Sequence, residues 1–244
     1  MDKINTFSSL EELKDGVVLL VNKPLEWTSF DVVNKIRGSI RRHFNLKKIK
    51  VGHAGTLDPL ATGLLVICIG KMTKQIQYLT ADSKTYLATL ELGATTPSFD
   101  LETAVTEEFR FDHVQQEDVL DLLSRWEGPH EQTPPVFSAK KVDGVRAYKQ
   151  ARKGVEVKMK KQTVELHSLE LLEYKSPEIT INVDCSKGTY IRSLAHDIGK
   201  ALNSGAHLTK LHRTRSGNYH MDQSITIEEF QNLLSKCPIP EAED

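Results

Sequence analysis

VGHAGTLDPLATGLLVICIG, residues 51–70, decides how this chain is read. The first thirteen positions hold three glycines and one proline, which marks a loop. The loop runs into six uninterrupted apolar residues, Leu64 to Ile69, bounded by Gly63 and Gly70, and such a run predicts a buried strand. Asp58 stands in the loop just ahead of that strand and directly before Pro59. A residue before proline is biased to an extended conformation, so the carboxylate is expected in a defined pose on a rigid element. The glycines let the backbone approach a ligand closely, yet their spacing fits neither a P-loop nor a dinucleotide-binding fingerprint. His53 and Asp58 alone are too few ligands for a metal.

Outward from this segment, helices and strands mix irregularly. Upstream, Val17–Val21 reads as a short buried strand ended by Pro24. Thr28 and Asp31 stand in capping-box spacing, and Phe30, Val33, Ile36 and Ile40 are expected on the core face of the helix that follows. Downstream, residues 72–79 read as a short helix. Tyr86, Ala88, Leu90 and Leu92 alternate as one face of a strand ended by Gly93, and 93–103 read as a loop. Residues 115–126 form an acidic amphipathic helix closed by Gly128-Pro129. Residues 141–145 carry an Asp-Gly hairpin signal, and 146–153 read as a short basic helix. Val155–Lys160, Val164–Leu172 and Ile179–Cys185 are strand candidates. Ile191, Leu194, Ala195, Ile198 and Leu202 form a helix stripe, Leu208–Arg215 a basic strand or loop edge, and Thr226–Leu234 a last helix. Sequence-adjacent pairs of strands favour α+β over a doubly wound parallel sheet.

Composition bounds the rest. The chain has 244 residues, 39% hydrophobic and 27% charged, ordinary for a globular protein of one large domain. Its six-residue apolar run cannot span a bilayer, and the first residues hold no signal-peptide core, so the expected compartment is the cytoplasm, with no membrane partner. Cys68, Cys185 and Cys237 are odd in number and widely spaced, which implies neither a disulfide framework nor a thiolate metal site. The net charge of −1 hides a segregation. Residues 35–50 carry seven basic residues and no acid, 140–161 carry nine basic residues against Asp143 and Glu156, and 100–121 carry eight acids against Arg110. A chain arranged this way can present a basic face to a polyanion despite its neutral total.

Two further segments could carry chemistry. In CSKGTYIR, residues 185–192, Arg192 falls in the first turn of its helix, where the dipole disfavours a cation. Something else must hold it there, such as a buried carboxylate. In Lys84-Thr85-Tyr86, Tyr86 shares the apolar face of its strand, and a buried tyrosine needs a partner for its hydroxyl.

The pieces VLLVNKPLEWTSFDVV (18–33), KVGHAGTLDPLATGLLVICIGKMTK (50–74), KTYLATLELGATTPSFD (84–100), TPPVFSAKKVDGVRAYKQAR (133–152), CSKGTYIRSLAHDIG (185–199) and GAHLTKLHRTRSG (205–217) follow one another over about 200 residues. In that order they resemble the TruB family of tRNA pseudouridine synthases. The resemblance implies an α+β pseudouridine synthase fold: a mixed, largely antiparallel sheet flanked by helices, with a central RNA-binding cleft. It implies a catalytic domain over 1–225, with 133–161 as an RNA-gripping insertion. A short C-terminal helix and tail over 226–244 would follow, too short for the PUA domain of many members. It implies an isomerase that flips the uridine of the tRNA TΨC loop and rebuilds its N–C glycosidic bond as a C–C bond. No cofactor, metal or obligatory protein partner is implied, and a monomer acting on the T-arm is expected.

By resemblance Asp58 is the catalytic aspartate, attacking C1′ or acting as a base at C2′. Arg192 pairs with it, and Tyr86 stacks on the target base and assists removal of the C5 proton. His53 fills the space left by the flipped nucleotide, Tyr190 and Leu211 line the uracil pocket, and Lys23 lies near the site in a structural role. A glycosidase built on Asp58 would need a second carboxylate, which neither the 51–63 loop nor the 185–192 segment supplies. A protein that only binds tRNA would have no need of a positioned Asp–Arg pair.

Overall fold

A computed structural model describes residues 4–138, 140–142, 144–147, 150 and 157–240. The chain divides into two compact units, one of residues 1–84 with 212–244, the other of residues 85–211.

The first unit is built on α1 (Leu10–Asp15), β1 (Val17–Lys23), α2 (Ser29–His43), β2 (Val51–His53) and β3 (Ala61–Ile69). A 3-10 turn over Gly70–Gln75 and α3 (Ile76–Leu79) follow. β1 and β3 pair antiparallel from Val17↔Ile69 to Lys23↔Gly63, and β2 pairs with β3 from Val51↔Ile69 to His53↔Ile67. Val17, Leu19 and Val21 pack with Val32, Val33, Ile36, Ile40 and Phe230, while Val18 and Leu20 pack with Ala54, Leu64, Val66 and Tyr219. Both faces of the β1–β3 pair are therefore covered. That is why these strands read as continuous apolar runs rather than as alternation.

The capping box predicted at Thr28 and Asp31 is present. One expectation fails on the same helix: Phe30 is 58% exposed, and Val32 takes the buried place. The apolar stripe is reached one turn later than the cap, which leaves Phe30 outside under the Arg37 guanidinium, 5.9 Å from its ring centroid. The amino-terminal helix α1, whose charged residues masked its core pair Leu10 and Leu13, was not expected.

The second unit contains most of β4 (Lys84–Leu92), the short β5 (Ala94–Thr95) and β6 (Glu107–Glu108), α4 (Gln116–Trp126), β7 (Gly128–Gln132), β8 (Lys141–Val142) and β9 (Val145–Arg146). It continues through β10 (Gln162–Lys175), β11 (Glu178–Cys185) and α5 (Ile191–Ala201) into β12 (Ala206–Ser216). Here the strand order is β12-β4-β11-β10-β7. β10 pairs antiparallel with both β11 and β7. Ile179, Ile181, Val183 and Cys185 are buried in strict alternation along β11, as read from the sequence. On α5, Gly199 lets the helix lie against the start of β12, since a Cβ there would sit 2.1 Å from the Ala206 nitrogen.

Gly128-Pro129 does close α4, but β7 begins there instead of a plain loop. The expected loop 93–103 contains β5, which pairs with β6. Where the sequence carries the hairpin signal, β8 and β9 pair antiparallel, Lys141↔Arg146 and Val142↔Val145, and Asp143 lies outside the described residues. Within the expected strand 155–160, residues 157–160 have no regular structure, and Val155 and Glu156 lie outside the described residues. Much of the basic helix expected over 146–153 also lies outside them.

The chain re-enters the first unit at His212. There β12 pairs with β13 (Tyr219–His220), and α6 (Ile227–Ser235) ends the ordered elements behind the predicted Thr226–Glu229 capping box. The "basic strand or loop edge" of the sequence is thus an eleven-residue strand, β12, which neighbours β4 in the second unit. No described helix is long and apolar enough to cross a membrane.

Candidate active site

In the first unit the Gly52–Gly63 loop is tied down from four directions. Ser29, the first residue of α2 and 2% exposed, accepts from the Leu57 amide at 2.8 Å and donates to the Leu57 carbonyl at 3.0 Å. The Glu26 amide donates to the Pro59 carbonyl at 2.9 Å. The Lys23 Nζ is fully buried and donates to the carbonyls of Pro24, Trp27 and Pro59, so all three ammonium protons are placed. Arg213, on β12 and 1% exposed, donates from Nε to the Leu64 carbonyl at 2.7 Å and from Nη2 to the Gly55 carbonyl at 3.2 Å. Asp58 itself closes a turn, its carbonyl accepting from Ala61, and its side chain is half-buried. A carboxylate between Leu57 and Pro59, both pinned through their backbone, sits on a preorganised platform.

The electrostatics of this unit follow from burial. Burial pushes the Lys23 ammonium down to about 8, against the opposing pull of Asp58 and Asp31. Lys23 is thus drawn electrostatically towards Asp58 while its protons serve the loop carbonyls. His53, on β2, is pushed below its usual value, first by burial and then by the positive charge of Arg213. Its Nδ1 is buried without a hydrogen-bond partner among the described residues. The neutral imidazole is therefore the form at physiological pH.

The second unit carries Tyr86, Tyr190, Arg192 and Leu211. Tyr86 is buried on β4 on the face shared with Ala88, Leu90 and Leu92, as expected. Tyr190 is the N-cap residue of α5, and its backbone is held twice by the fully buried Gln132 side chain. Gln132 Nε2 donates to the Tyr190 carbonyl at 2.9 Å, and the Tyr190 amide donates to Gln132 Oε1 at 2.7 Å. Arg192 lies in the first turn of α5, where the dipole opposes it, and within this unit a buried carboxylate that the sequence reading did not name, Asp100, stands beside it. Its Oδ2 is 3.6 Å from Arg192 Nη1, which also donates to the carbonyls of Phe137 at 3.0 Å and Ser98 at 3.3 Å. The turn that carries Asp100 is itself fixed, with Thr96 and Ser98 hydroxyls donating to the Asp100 carbonyl. Leu211 is half-buried at the end of this unit's part of β12.

Lys23, His53 and Asp58 are therefore gathered in one unit, and Tyr86, Tyr190, Arg192 and Leu211 in the other. Four residues that hold these groups went unnoticed in the sequence: Ser29, Asp100, Gln132 and Arg213. Asp100 and Arg213 were visible there only as members of charge clusters. Ser29 was read only as part of a helix start, and Gln132 had no signal at all. No cluster of three or more metal-ligating side chains exists among the described residues.

Comparison with known proteins gives this geometry its family. The family described as "TruB family pseudouridylate synthase (N terminal domain)" matches residues 41–191, and "tRNA pseudouridylate synthase B C-terminal domain" matches 192–238. A tRNA pseudouridine synthase B of Phocaeicola vulgatus is 56% identical over 228 residues, covering 93% of this chain and 97% of its own. One of Clostridium kluyveri is 43% identical over 222 residues, covering 90% and 74%. Among solved structures, a chain of a Cbf5-Nop10-Gar1 complex superposes with a TM-score of 0.68 at 30% identity, over 90% of this chain and 54% of that one. A chain of an H/ACA RNP bound to a substrate RNA gives a TM-score of 0.64 at 28% identity, over 90% and 53%. This chain spans about half the length of those solved chains, and most of the length of the two bacterial relatives. With the antiparallel sheet, the helices and the loop described above, these matches lead to one conclusion: the chain belongs to the TruB family of pseudouridylate synthases.

Proposed function

We propose that this chain isomerises the uridine in the T-loop of tRNA to pseudouridine, with Asp58 as the reacting carboxylate. The observation that supports this most directly is the Gly52–Gly63 loop. Three buried side chains, Lys23, Ser29 and Arg213, hold the backbone around a half-buried carboxylate, on a loop that begins at a neutral histidine and is bound by a cation held back by carbonyls. That arrangement suits a group that must meet a sugar carbon in one geometry.

In the reaction the N1–C1′ bond breaks, the uracil turns, C5 bonds to C1′, and the C5 proton leaves while N1, freed of the sugar, takes one up, so the product is an isomer of the substrate. Asp58 either attacks C1′ or removes a proton at C2′. Arg192, fixed by Asp100 and two carbonyls, serves as the cationic partner that keeps the carboxylate ionised. Tyr86 stacks on the base and assists proton removal, while Tyr190 and Leu211 line the uracil pocket and His53 fills the vacated stack. No metal or cofactor takes part.

Extruding a stacked base costs a few kcal/mol, and contacts to phosphates offset it. Lys35, Arg41, Arg42, Lys47, Lys48 and Lys50 are exposed along α2 and the segment after it, with no acid between Asp31 and Asp58. They suit a polyanion, and binding should weaken steeply with salt. The enzyme acts as a monomer, in the cytoplasm where tRNA is found, and 133–161 serves as the RNA-gripping insertion.

The test is product analysis. Purified protein is incubated with an unmodified tRNA transcript, without metal or nucleotide, and pseudouridine is mapped at single-base resolution with Asp58→Asn alongside. One new pseudouridine at the T-loop uridine is expected, absent in the variant, with tRNA binding retained. Binding without product in the wild-type protein would refute the reading in favour of a protein that only holds RNA.

A further inference from the structure

We infer that Arg213 is a positioning residue for the Asp58 loop, a buried guanidinium that clamps the Gly55 carbonyl before the aspartate and the Leu64 carbonyl on the strand after it. The inference rests on the reading of Asp58 as the reacting carboxylate.

Three observations carry it. The side chain is among the largest fully buried ones, and its hydrogen bonds go to two main-chain carbonyls. A cation buried against carbonyls alone is a poor device for stability, because an apolar side chain of similar volume does as well or better. Its place calls for another explanation, and the two carbonyls it holds lie on either side of Asp58 in sequence. Second, the Arg213 backbone fixes the same loop that its side chain does. A Cβ on Gly63 would lie 2.4 Å from the Arg213 carbonyl oxygen and 2.7 Å from its nitrogen, so the loop exit is pressed onto this one residue, at a φ of 99° suited to glycine. Third, the charge reaches the neighbouring groups: it lowers the proton affinity of both His53 and Lys23. Arg213 thus acts through the loop and its neighbours, as a fixed donor pair and a fixed charge. Guanidinium suits this double task because it stays protonated and carries its donors on one rigid plane.

The experiment compares wild type, Arg213→Gln and Arg213→Lys. It reads kcat and KM for pseudouridine formation on a tRNA transcript, and the His53 imidazole titration in the free protein by NMR. Arg213→Gln removes the charge and misplaces the clamp. Its kcat should fall about tenfold or more, as for a misplaced reacting group, with KM changed by less than about threefold. Its His53 midpoint should rise towards the ordinary value. Arg213→Lys restores the charge without the planar donor pair, so the His53 midpoint returns to the wild-type position and kcat recovers only in part. Wild-type kcat in Arg213→Gln overturns the inference. So do equal losses of kcat in both variants with an unmoved His53 midpoint, which would leave only a packing role.

Should Arg213→Gln fail to fold, Arg213→Lys decides: reduced kcat with an unchanged His53 midpoint supports the inference, and wild-type kcat overturns it. If the wild-type protein forms no pseudouridine, the reading of Asp58 fails instead. The His53 midpoint, which needs no substrate, then decides alone whether the Arg213 charge reaches the loop.

Discussion

Ser29→Ala should weaken both the fold and the reaction. The Ser29 hydroxyl accepts from the Leu57 amide at 2.8 Å and donates to the Leu57 carbonyl at 3.0 Å, and both residues are buried. Alanine removes one oxygen and leaves two buried backbone groups unpaired. Each such group costs about 1–3 kcal/mol, and partial relaxation or an entering water lowers the sum, so about 2–4 kcal/mol is expected. For a chain of this length that corresponds to a fall in Tm of about 5–12 °C. Leu57 immediately precedes Asp58, so the same loss frees the carboxylate to drift, and a shift on the order of 1 Å costs about a hundredfold in rate. The assay pairs a thermal melt with single-turnover pseudouridine formation at a temperature where the variant is folded. Thr28→Ala is the control. It breaks the adjacent capping box and should cost about 1 kcal/mol, but it touches neither Leu57 hydrogen bond. A Ser29→Ala protein that melts with wild type and reacts at the wild-type rate would refute the argument that this hydroxyl fixes the loop.

Asp197, half-buried on α5, is pushed up to about 6 by burial, above its ordinary 3.8. Between those values the native state holds a proton the unfolded state has released, so stability falls as pH rises through the window. Asp197→Asn should therefore raise Tm at pH 7.5, by about 1–2 kcal/mol in stability after allowance for solvent screening, and the gain should vanish near pH 4. An equal gain at both pH values would remove the cause from desolvation. Glu26 holds a φ of 66° while donating its amide to Pro59. Glu26→Gly relieves left-handed strain of about 1–2 kcal/mol against an entropic loss of about 0.5–1, so a Tm equal to or a few degrees above wild type is expected, and a lower one contradicts the strain. Asp100→Asn strips the nearby carboxylate from the buried Arg192 and should lower stability by about 2–4 kcal/mol in urea unfolding; an unchanged midpoint would mean that the Phe137 and Ser98 carbonyls suffice.

What could be read from the sequence was whatever repeats or caps. The runs Val17–Val21 and Leu64–Ile69 predicted buried strands because both faces of the β1–β3 pair are covered, and the β11 alternation survives because only one face is. The two Thr-led capping boxes were legible because they are local hydrogen bonds within four residues. Phe30 failed because helical periodicity places a residue on a stripe without saying where the stripe begins to be covered. β12 was underrated because its polar residues read as an edge, whereas Arg213 is buried and donates to the carbonyls of Gly55 and Leu64. Long-range polar contacts of this kind leave no period in a sequence. Gln132 reaches Tyr190 across 58 positions and Arg213 reaches Leu64 across 149.

The same distinction explains why the proposed site residues stood out in the sequence and the residues that hold them did not. Asp58, Tyr86 and Arg192 stand in segments dense with glycine, aromatic or charged residues, and the chain's resemblance to its family runs through those segments. Their supports are single polar side chains drawn from ordinary elements: a helix start for Ser29, a turn for Asp100, a short strand for Gln132, a long strand for Arg213. Each is buried, and each spends its hydrogen bonds on backbone carbonyls or amides, or on one buried charge, so each fixes a position and supplies no chemistry of its own. Buried donors aimed at main chain are costly to misplace, which is why they make a loop rigid. Rigidity of that kind lets one carboxylate do work that a flexible acidic loop could not.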